Sequence, residues 1–138
     1  MKIYDVAFLG MGASSLATLK LNYQKSSLSI VGIDKNYNSS RNNFFAFWLT
    51  DWMKEFEEII ENKWHQWEFN YNNLCVTHKS EAMPYCVIRF QKWREYCIRD
   101  FTNLVVKEKN VIELNKLNDC FEIELEDGEK IFSKKVYD

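Results

Sequence analysis

Glycine and proline are scarce in this chain. Four glycines and one proline, Pro84, occur in 138 residues. That excludes collagen-like, low-complexity and linker-rich organisations, and no internal repeat is evident. Histidine is scarcer still. His65 and His78 have no partner at ligand spacing, so neither reads as a metal ligand. The four cysteines, Cys75, Cys86, Cys97 and Cys120, form no C-x-x-C pair. The spacing of 11 between the first three fits no zinc pattern. Free, buried thiols in a cytoplasmic protein are expected instead, with no metal site. No apolar run approaches the length of a membrane span, and the first residues carry no cleavable signal pattern. An excess of one charge is missing too. With 18 basic and 20 acidic residues the net charge is −2, and the basic residues are scattered. The electrostatic footprint of a nucleic-acid partner is therefore absent.

What is present is an ordinary apolar fraction of 46% and a high aromatic fraction of 16%. The length suffices for one domain with a real core. Residues 3–9 read as a strand buried on both faces, followed by a turn at Gly10-Met11-Gly12. Residues 13–24 have the spacing of an amphipathic helix. "LSIVGID", residues 28–34, reads as a second buried strand. Strand, helix and strand within residues 3–34 form a βαβ unit with parallel strands.

A polar loop, residues 35–43, leads to "FFAFWLTDWMKEFEEIIENKWHQWEF". Thr50 or Asp51 is placed to cap a helix running to about Lys63, with Trp52, Phe56, Ile59 and Ile60 on one face. "WEFNY" and "LCVTH" suggest short strands around an Asn-Asn turn. "RFQKWREYCIRDFTNLV" reads as one helix, with Phe90, Trp93, Cys97 and Phe101 on one side. Residues 44–104 are thus expected to be a helical, aromatic insert. Residues 110–138 are expected to be strand-rich: "NVIELNKL", then a hairpin of "CFEIELE" and "EKIFS" about a two-residue Asp127-Gly128 turn, then a further strand "KKVYD".

The glycine turn carries the first chemical signal. In a dinucleotide-binding fingerprint the first glycine permits the tight turn and the second lets a pyrophosphate approach the backbone. The third position needs a small residue. Gly10, Gly12 and Ser15 hold those positions, and Ala13 and Ser14 open the helix whose N-terminus faces the phosphates. Asp34 ends the second strand, 22 residues after Gly12, where a carboxylate binds the adenosine ribose. A carboxylate there favours FAD or NAD over NADP. The strand, hairpin and strand at the end favour FAD, because that order resembles the FAD domain of glutathione-reductase-like flavoproteins, where a β-meander follows the third parallel strand. The fold expected is α/β, a Rossmann-like FAD-binding domain of the glutathione-reductase type, spanning 1–138 as a single partial domain.

Residues 44–71 hold ten aromatics. They serve either packing or a wall for a long apolar or conjugated ligand. Several segments together resemble the N-terminal third of FAD-dependent lycopene cyclases: "YDVAFLGMGASSLATLKL", "LSIVGIDK", "RNNFFAFW", "NKWHQWEF", "MPYCVIRFQKW" and "GEKIFSKKVYD". Within them, Asn42-Asn43-Phe44-Phe45-Ala46-Phe47 is similar to an Asn-rich turn followed by an aromatic-x-Phe element, with Phe45 where Trp is common. Trp64 and Trp67-Glu68 are similar to a Trp-containing strand. Tyr85 to Ile88 is similar to a Tyr-x-x-Val/Ile element leading into a helix.

The resemblance implies a flavoenzyme of carotenoid biosynthesis that cyclises the ends of linear lycopene, with reduced FAD as a non-redox cofactor and NADPH as the electron source. It implies a cytoplasmic chain, peripheral to the membrane that carries the polyene. It places Asn43 at the cofactor and Phe45, Phe47 and Trp48 on the substrate side. The family's Phe-Leu-Glu segment with its essential acid does not occur here, nor does the Arg-Gly that follows the terminal Asp in many relatives. No catalytic acid is therefore assigned, and the C-terminal half of the enzyme is expected to be missing. Glu55, Glu57, Glu58 and Glu61 read as a solvated helix face, Glu68 as one further carboxylate, and Arg89 and Arg94 as surface residues. Two other readings stay open: the front end of another FAD-dependent oxidoreductase or monooxygenase, and a stand-alone nucleotide-binding domain without catalysis.

Overall fold

A computed structural model describes residues 2–39 and 43–138. Asn42, part of the Asn-rich element, lies outside the described residues. The chain divides into two compact units, one of Met1–Ser40 with Cys97–Asp138 and one of Arg41–Tyr96.

The first unit is built on a six-stranded sheet. Its strands are β1 (Ile3–Leu9), β2 (Ile30–Ile33), β8 (Leu104–Lys107), β9 (Val111–Lys116), β10 (Phe121–Leu125) and β11 (Lys130–Tyr137), in the order β8-β2-β1-β11-β10-β9. β1 pairs in parallel with β2, Val6 opposite Ile30, and in parallel with β11, Ala7 opposite Val136. β9, β10 and β11 form the antiparallel meander. All four residues of β2 are buried, and so are Val6, Ala7 and Phe8 of β1. This burial explains their unbroken apolar runs, since an interior parallel strand is covered on both faces. The core joins Ala7, Val31 and Ile33 of the parallel strands to Ile123, Leu125 and Ile131 of the meander. Helix α1 (Ala13–Tyr23) buries Leu16, Leu19 and Tyr23, and Tyr23 meets Phe8 edge-on at 6.0 Å.

The sequence reading needs several corrections. The helix expected across residues 89–105 stops early: α2 spans Phe90–Ile98. Asp100, Thr102 and Asn103 are poor helix formers. The Asn103 side chain instead donates to the carbonyls of Ser26 and Leu28. The β-branched residues that follow form β8, the third parallel strand, with Leu104 opposite Ile30. "EKIFS" and "KKVYD" are one continuous strand, β11: residues 130–133 pair with β10 and residues 132–137 with β1, so Phe132 and Ser133 are held on both sides. The Asp127-Gly128 turn is a three-residue loop, not a two-residue one. Leu125 N–H donates to the Glu129 carbonyl at 2.9 Å, leaving Glu126 to Gly128 between them, and Gly128 takes the left-handed φ of +82°.

The second unit is mostly strand rather than helix. Strands β3 (Phe44–Trp48), β4 (Asn62–Trp64) and β7 (Tyr85–Arg89) form an antiparallel sheet in the order β3-β7-β4. β5 (Gln66–Tyr71) and β6 (Leu74–Lys79) form a separate hairpin about Asn72 and Asn73, with Asn72 at φ +50°. The helix expected from Asp51 to Lys63 is a 3₁₀ helix, Asp51–Ile59, that ends where Ile60 turns extended. Asn62 to Trp64 then pair with Tyr85 to Val87, so long-range pairing overrides the local helical period. Phe56, buried under this 3₁₀ helix, meets Trp93 edge-on at 4.8 Å. Of the four free cysteines, Cys86 and Cys97 are buried, Cys120 is half-buried, and Cys75 is exposed on β6, against the expectation of buried thiols throughout.

Asp5 ties three segments of the first unit together. Its carboxylate accepts the main-chain N–H and the hydroxyl of Ser29, each at 2.9 Å, and the Lys134 ammonium at 2.7 Å. Lys134, and then the two Ser29 donors, hold its pKa down at about 2. A carboxyl depressed in the folded state stabilises fully above its unfolded value, about 4. That contribution is lost as pH falls towards 2. Thermal melts should show Asp5→Asn less stable than the wild type at pH 7, with the gap closing between about pH 4 and pH 2.

Candidate functional site

The glycine turn lies at the C-terminal ends of β1 and β2. Gly10 has φ +89°, a left-handed conformation that glycine adopts without strain, and its N–H donates to the Ile33 carbonyl at 2.7 Å. Gly12 is the N-cap of α1 and makes no side-chain cap. The first intrahelical bond runs from Leu16 N–H to the Gly12 carbonyl at 3.0 Å. Ala13, Ser14 and Ser15 are therefore the first turn, whose N–H groups an α-helix itself cannot satisfy. No acidic residue occurs in that turn, so nothing on the helix competes for its positive end.

Asp34 stands beside this turn. Its Oδ2 accepts Met11 N–H at 3.0 Å and its Oδ1 accepts Asn36 N–H at 2.8 Å. Its own N–H donates to the Lys107 carbonyl at 3.0 Å, which joins the ends of β2 and β8. Each carboxylate oxygen keeps acceptor capacity beyond the one bond it makes here. The residues predicted from sequence as a phosphate-and-ribose site, Gly10, Gly12, Ala13, Ser14, Ser15 and Asp34, thus lie within one unit.

Sequence reasoning missed the contact that seats the turn. Met11 is almost fully buried, and a Cβ on Gly32 would collide with its Sδ. The only advance signal was a glycine inside a buried strand, which often marks close approach of another group. Also missed was a second tie: Glu108 accepts both the main-chain N–H of Asn38, at 3.0 Å, and its side-chain amide, at 2.7 Å.

A cleft of about 350 Å³ opens at this edge of the sheet. Leu9, Gly10 and the stretch Ile33 to Lys35 form one side. Lys109 to Leu114 and Asp138 form the rest. Lys109 pairs with Asp127 and with Glu129, the latter at 2.7 Å, and Lys107 pairs with Glu129 at 2.8 Å. These cations hold the carboxyls of Glu129 and Asp127 below their usual range.

The glycines themselves can be tested for fit to a dinucleotide. A Cβ built on Gly10 or Gly12 meets no atom of the described residues within 4 Å, so among them the space beside both is open. That is what a pyrophosphate approaching the backbone requires.

The other candidates lie in the Arg41–Tyr96 unit. Asn43 is exposed, and its carbonyl accepts Phe90 N–H at 2.8 Å. Phe45 and Phe47 share one face of β3, with ring centroids 6.1 Å apart, and Phe45 meets Trp93 of α2 edge-on at 5.6 Å. Trp48 falls on the opposite face by strand alternation. It packs on Tyr85 at 5.1 Å and Trp67 at 6.3 Å. The three substrate-side candidates are therefore split between two surfaces. Glu57 pairs with Lys63, and Glu61 with Arg89 and Lys92, each at 3.0 Å. Lys63 lowers the Glu57 pKa, while Lys92 and Arg89 lower that of Glu61, so both are poor sources of a proton at neutral pH. Arg89 also stacks over Phe44 at 4.8 Å. Among the described residues, no helix is long and apolar enough to cross a membrane.

No protein-family model matches the chain, and no curated protein matches it. Solved structures do. p-Nitrophenol 4-monooxygenase PnpA from Pseudomonas putida DLL-E4 aligns with 97% of this chain at TM-score 0.74 and 15% identity, over 40% of its own length. The probable FAD-dependent monooxygenase pqsL from Pseudomonas aeruginosa aligns with 98% at TM-score 0.65 and 13% identity, over 42% of its length. 2,6-Dihydroxypyridine-3-hydroxylase from Arthrobacter nicotinovorans aligns with 98% at TM-score 0.62 and 13% identity, over 36% of its length. The fold is the Rossmann-like, glutathione-reductase-type fold of FAD-binding flavoproteins. The chain spans about two fifths of the length of the proteins that share it.

The seat of the turn is open to direct test. Gly32→Val forces Met11 out of its buried position, and urea denaturation should show a loss of about 1–3 kcal/mol. Combining it with Met11→Ala should recover part of that loss.

Proposed function

We propose that this chain is the FAD-binding part of a flavin-dependent oxidoreductase of the monooxygenase kind. The observation that carries the reading is the open space at Gly10 and Gly12 beside the first turn of α1, with the Asp34 carboxylate at the same edge. In this reading Gly12 lets the pyrophosphate reach the backbone. Ser14 and Ser15 offer it N–H groups, and Ala13 opens the helix whose positive end faces it. Asp34 orients the adenosine ribose through the acceptor capacity left on its two oxygens. Asp34 also holds Met11 N–H, so the same carboxylate shapes the turn and reads the sugar. The bound flavin supplies two-electron redox chemistry, with NADPH as the proposed electron source. Asn43 is assigned to the cofactor side on sequence alone.

A second reading keeps the lycopene cyclase resemblance. The exposed aromatic residues Phe44 and Trp48 on β3 favour it, because a polyene needs an apolar wall. In that reading the substrate is lycopene, delivered from the membrane to a peripherally bound enzyme, and reduced FAD is not consumed. Turnover by the intact protein separates the two. Stoichiometric NAD(P)H oxidation with oxygenated product supports the monooxygenase. Ring formation from lycopene without net NAD(P)H consumption supports the cyclase.

Flavin binding itself is tested by two substitutions. At Gly12, φ is −76° and a Cβ meets no atom of the described residues, so Gly12→Val should lower the melting temperature only by the small cost of a poorer N-cap. By filling the approach to the backbone it should weaken FAD binding at least about tenfold in a flavin-fluorescence titration. Asp34→Ala should weaken it about 10–100-fold, the loss expected for hydrogen bonds to a charged group. Unaltered FAD affinity in both variants would remove the basis of the proposal.

A further inference from the structure

The Arg41–Tyr96 unit contains a second cavity that the flavin reading does not use. It has a volume of about 200 Å³ and is lined by Trp48, Trp67, Glu68, Phe69 and Tyr85. Four of these five residues are aromatic, and the only charge among them is a carboxylate.

The sheet register builds this box. Trp48 and Tyr85 are directly opposed across β3 and β7, and Tyr85 and Trp64 are directly opposed across β7 and β4. The result is a row of three rings across three strands. Trp67 of β5 closes over the row, with its ring 6.3 Å from Trp48 and 6.4 Å from Tyr85. Phe69 follows two residues later on the same face of β5. His78, the cross-strand partner of Trp67, lies beside that ring with centroids 4.7 Å apart and planes inclined at 41°.

The ring planes decide what fits. Trp48 and Trp67 are inclined at 61°, Trp48 and Tyr85 at 56°, and Trp67 and Tyr85 at 43°. None of these pairs forms the parallel slot that a flat ring would enter. Inclined rings instead wall the cavity from several directions. Each face is electrostatically negative, and several together attract a rounded, weakly hydrated cation. Glu68 adds a negative charge nearby. Its Oε1 accepts the Thr77 hydroxyl at 3.4 Å, which leaves the other carboxylate oxygen without a bond to Thr77. The exposed rings support the same reading: Trp48 remains 42% exposed and Phe69 60% exposed, so the box is open to a ligand from solvent.

We propose that this aromatic box binds an organic cation of the trimethylammonium type. The inference is independent of the flavin site, since every residue in it belongs to the second unit. The same headgroup occurs on a free small molecule and on a choline lipid, and the test separates these sources.

The test is a tryptophan-fluorescence titration of the intact chain at constant ionic strength. The probes are choline and its neutral isostere 3,3-dimethylbutan-1-ol. Choline should bind at least about tenfold more tightly, because only the charge differs. Glu68→Gln, an exposed substitution that leaves the fold intact, should weaken choline but not the isostere. Trp67→Leu should abolish choline binding, with circular dichroism checking the fold. Equal or tighter binding of the isostere would show a plain apolar pocket and overturn the proposal, as would no response to choline. Vesicles then identify the source. Choline-sensitive binding to phosphatidylcholine vesicles assigns the cation to a lipid headgroup. Choline binding without vesicle binding assigns it to a soluble ligand. Attachment to phosphatidylglycerol vesicles with no response to choline counts against the box.

Discussion

The parallel pairing of β1 with β2 on one side and β11 on the other is the constraint on which the first unit depends. Parallel strands end at the same edge. The pairing therefore delivers Gly10, Asp34 and the close of β11 to one rim without any further device. It also buries β1 and β2 on both faces, which leaves no room for a large side chain where the chain turns back over the sheet. Gly32 resolves that conflict by yielding its side-chain volume to Met11. The turn is then fixed from below by Met11 and from the side by the Asp34 carboxylate.

The second unit solves a different problem. It must bury enough aromatic surface to be compact while being largely short strands. Alternation along β3 divides the work. Phe45 turns to α2, where Trp93, Phe56 and Tyr96 form an edge-to-face cluster. Trp48 turns the other way and meets rings from β5 and β7. One dense aromatic stretch therefore makes both a core and an open aromatic surface. Composition alone left packing and ligand contact as rivals; the Phe45, Phe56, Trp93 and Tyr96 cluster is packing, and ligand contact is proposed for the other face.

How much of this could be read from the sequence follows from how local each feature is. The βαβ start was legible because its signals are short-range: two apolar runs, two close glycines and a terminal acid. The Asn-Asn turn of the second hairpin was legible for the same reason. The interior of 44–104 was not. Its helical period over 51–63 is real in the sequence, but Asn62 to Trp64 find partners more than twenty residues away on β7. β8 was hidden in an apparent helix because Leu104 to Lys107 extend its apolar pattern, and only the pairing with β2 declares a strand. β11 was divided in two because its halves face different neighbours. At the candidate site, Gly10 to Ser15 and Asp34 were legible by motif and spacing. The Met11–Gly32 and Glu108–Asn38 contacts were not, since each depends on which strands are adjacent. The grouping of Phe45, Phe47 and Trp48 ignored the two-residue alternation of a strand.

The continuity of β11 has a consequence for synthesis. β1 is made first, yet its second partner spans residues 130–137. At a translation rate of about 5–20 residues per second, the wait is roughly 6–26 seconds. Throughout that interval β1 carries an open hydrogen-bonding edge with strongly apolar neighbours. The Arg41–Tyr96 unit is complete before β8 emerges and can assemble on its own contacts. The first unit cannot. Its closure waits for β11, and until then the open β1 edge is where a chaperone or a wrong strand would bind.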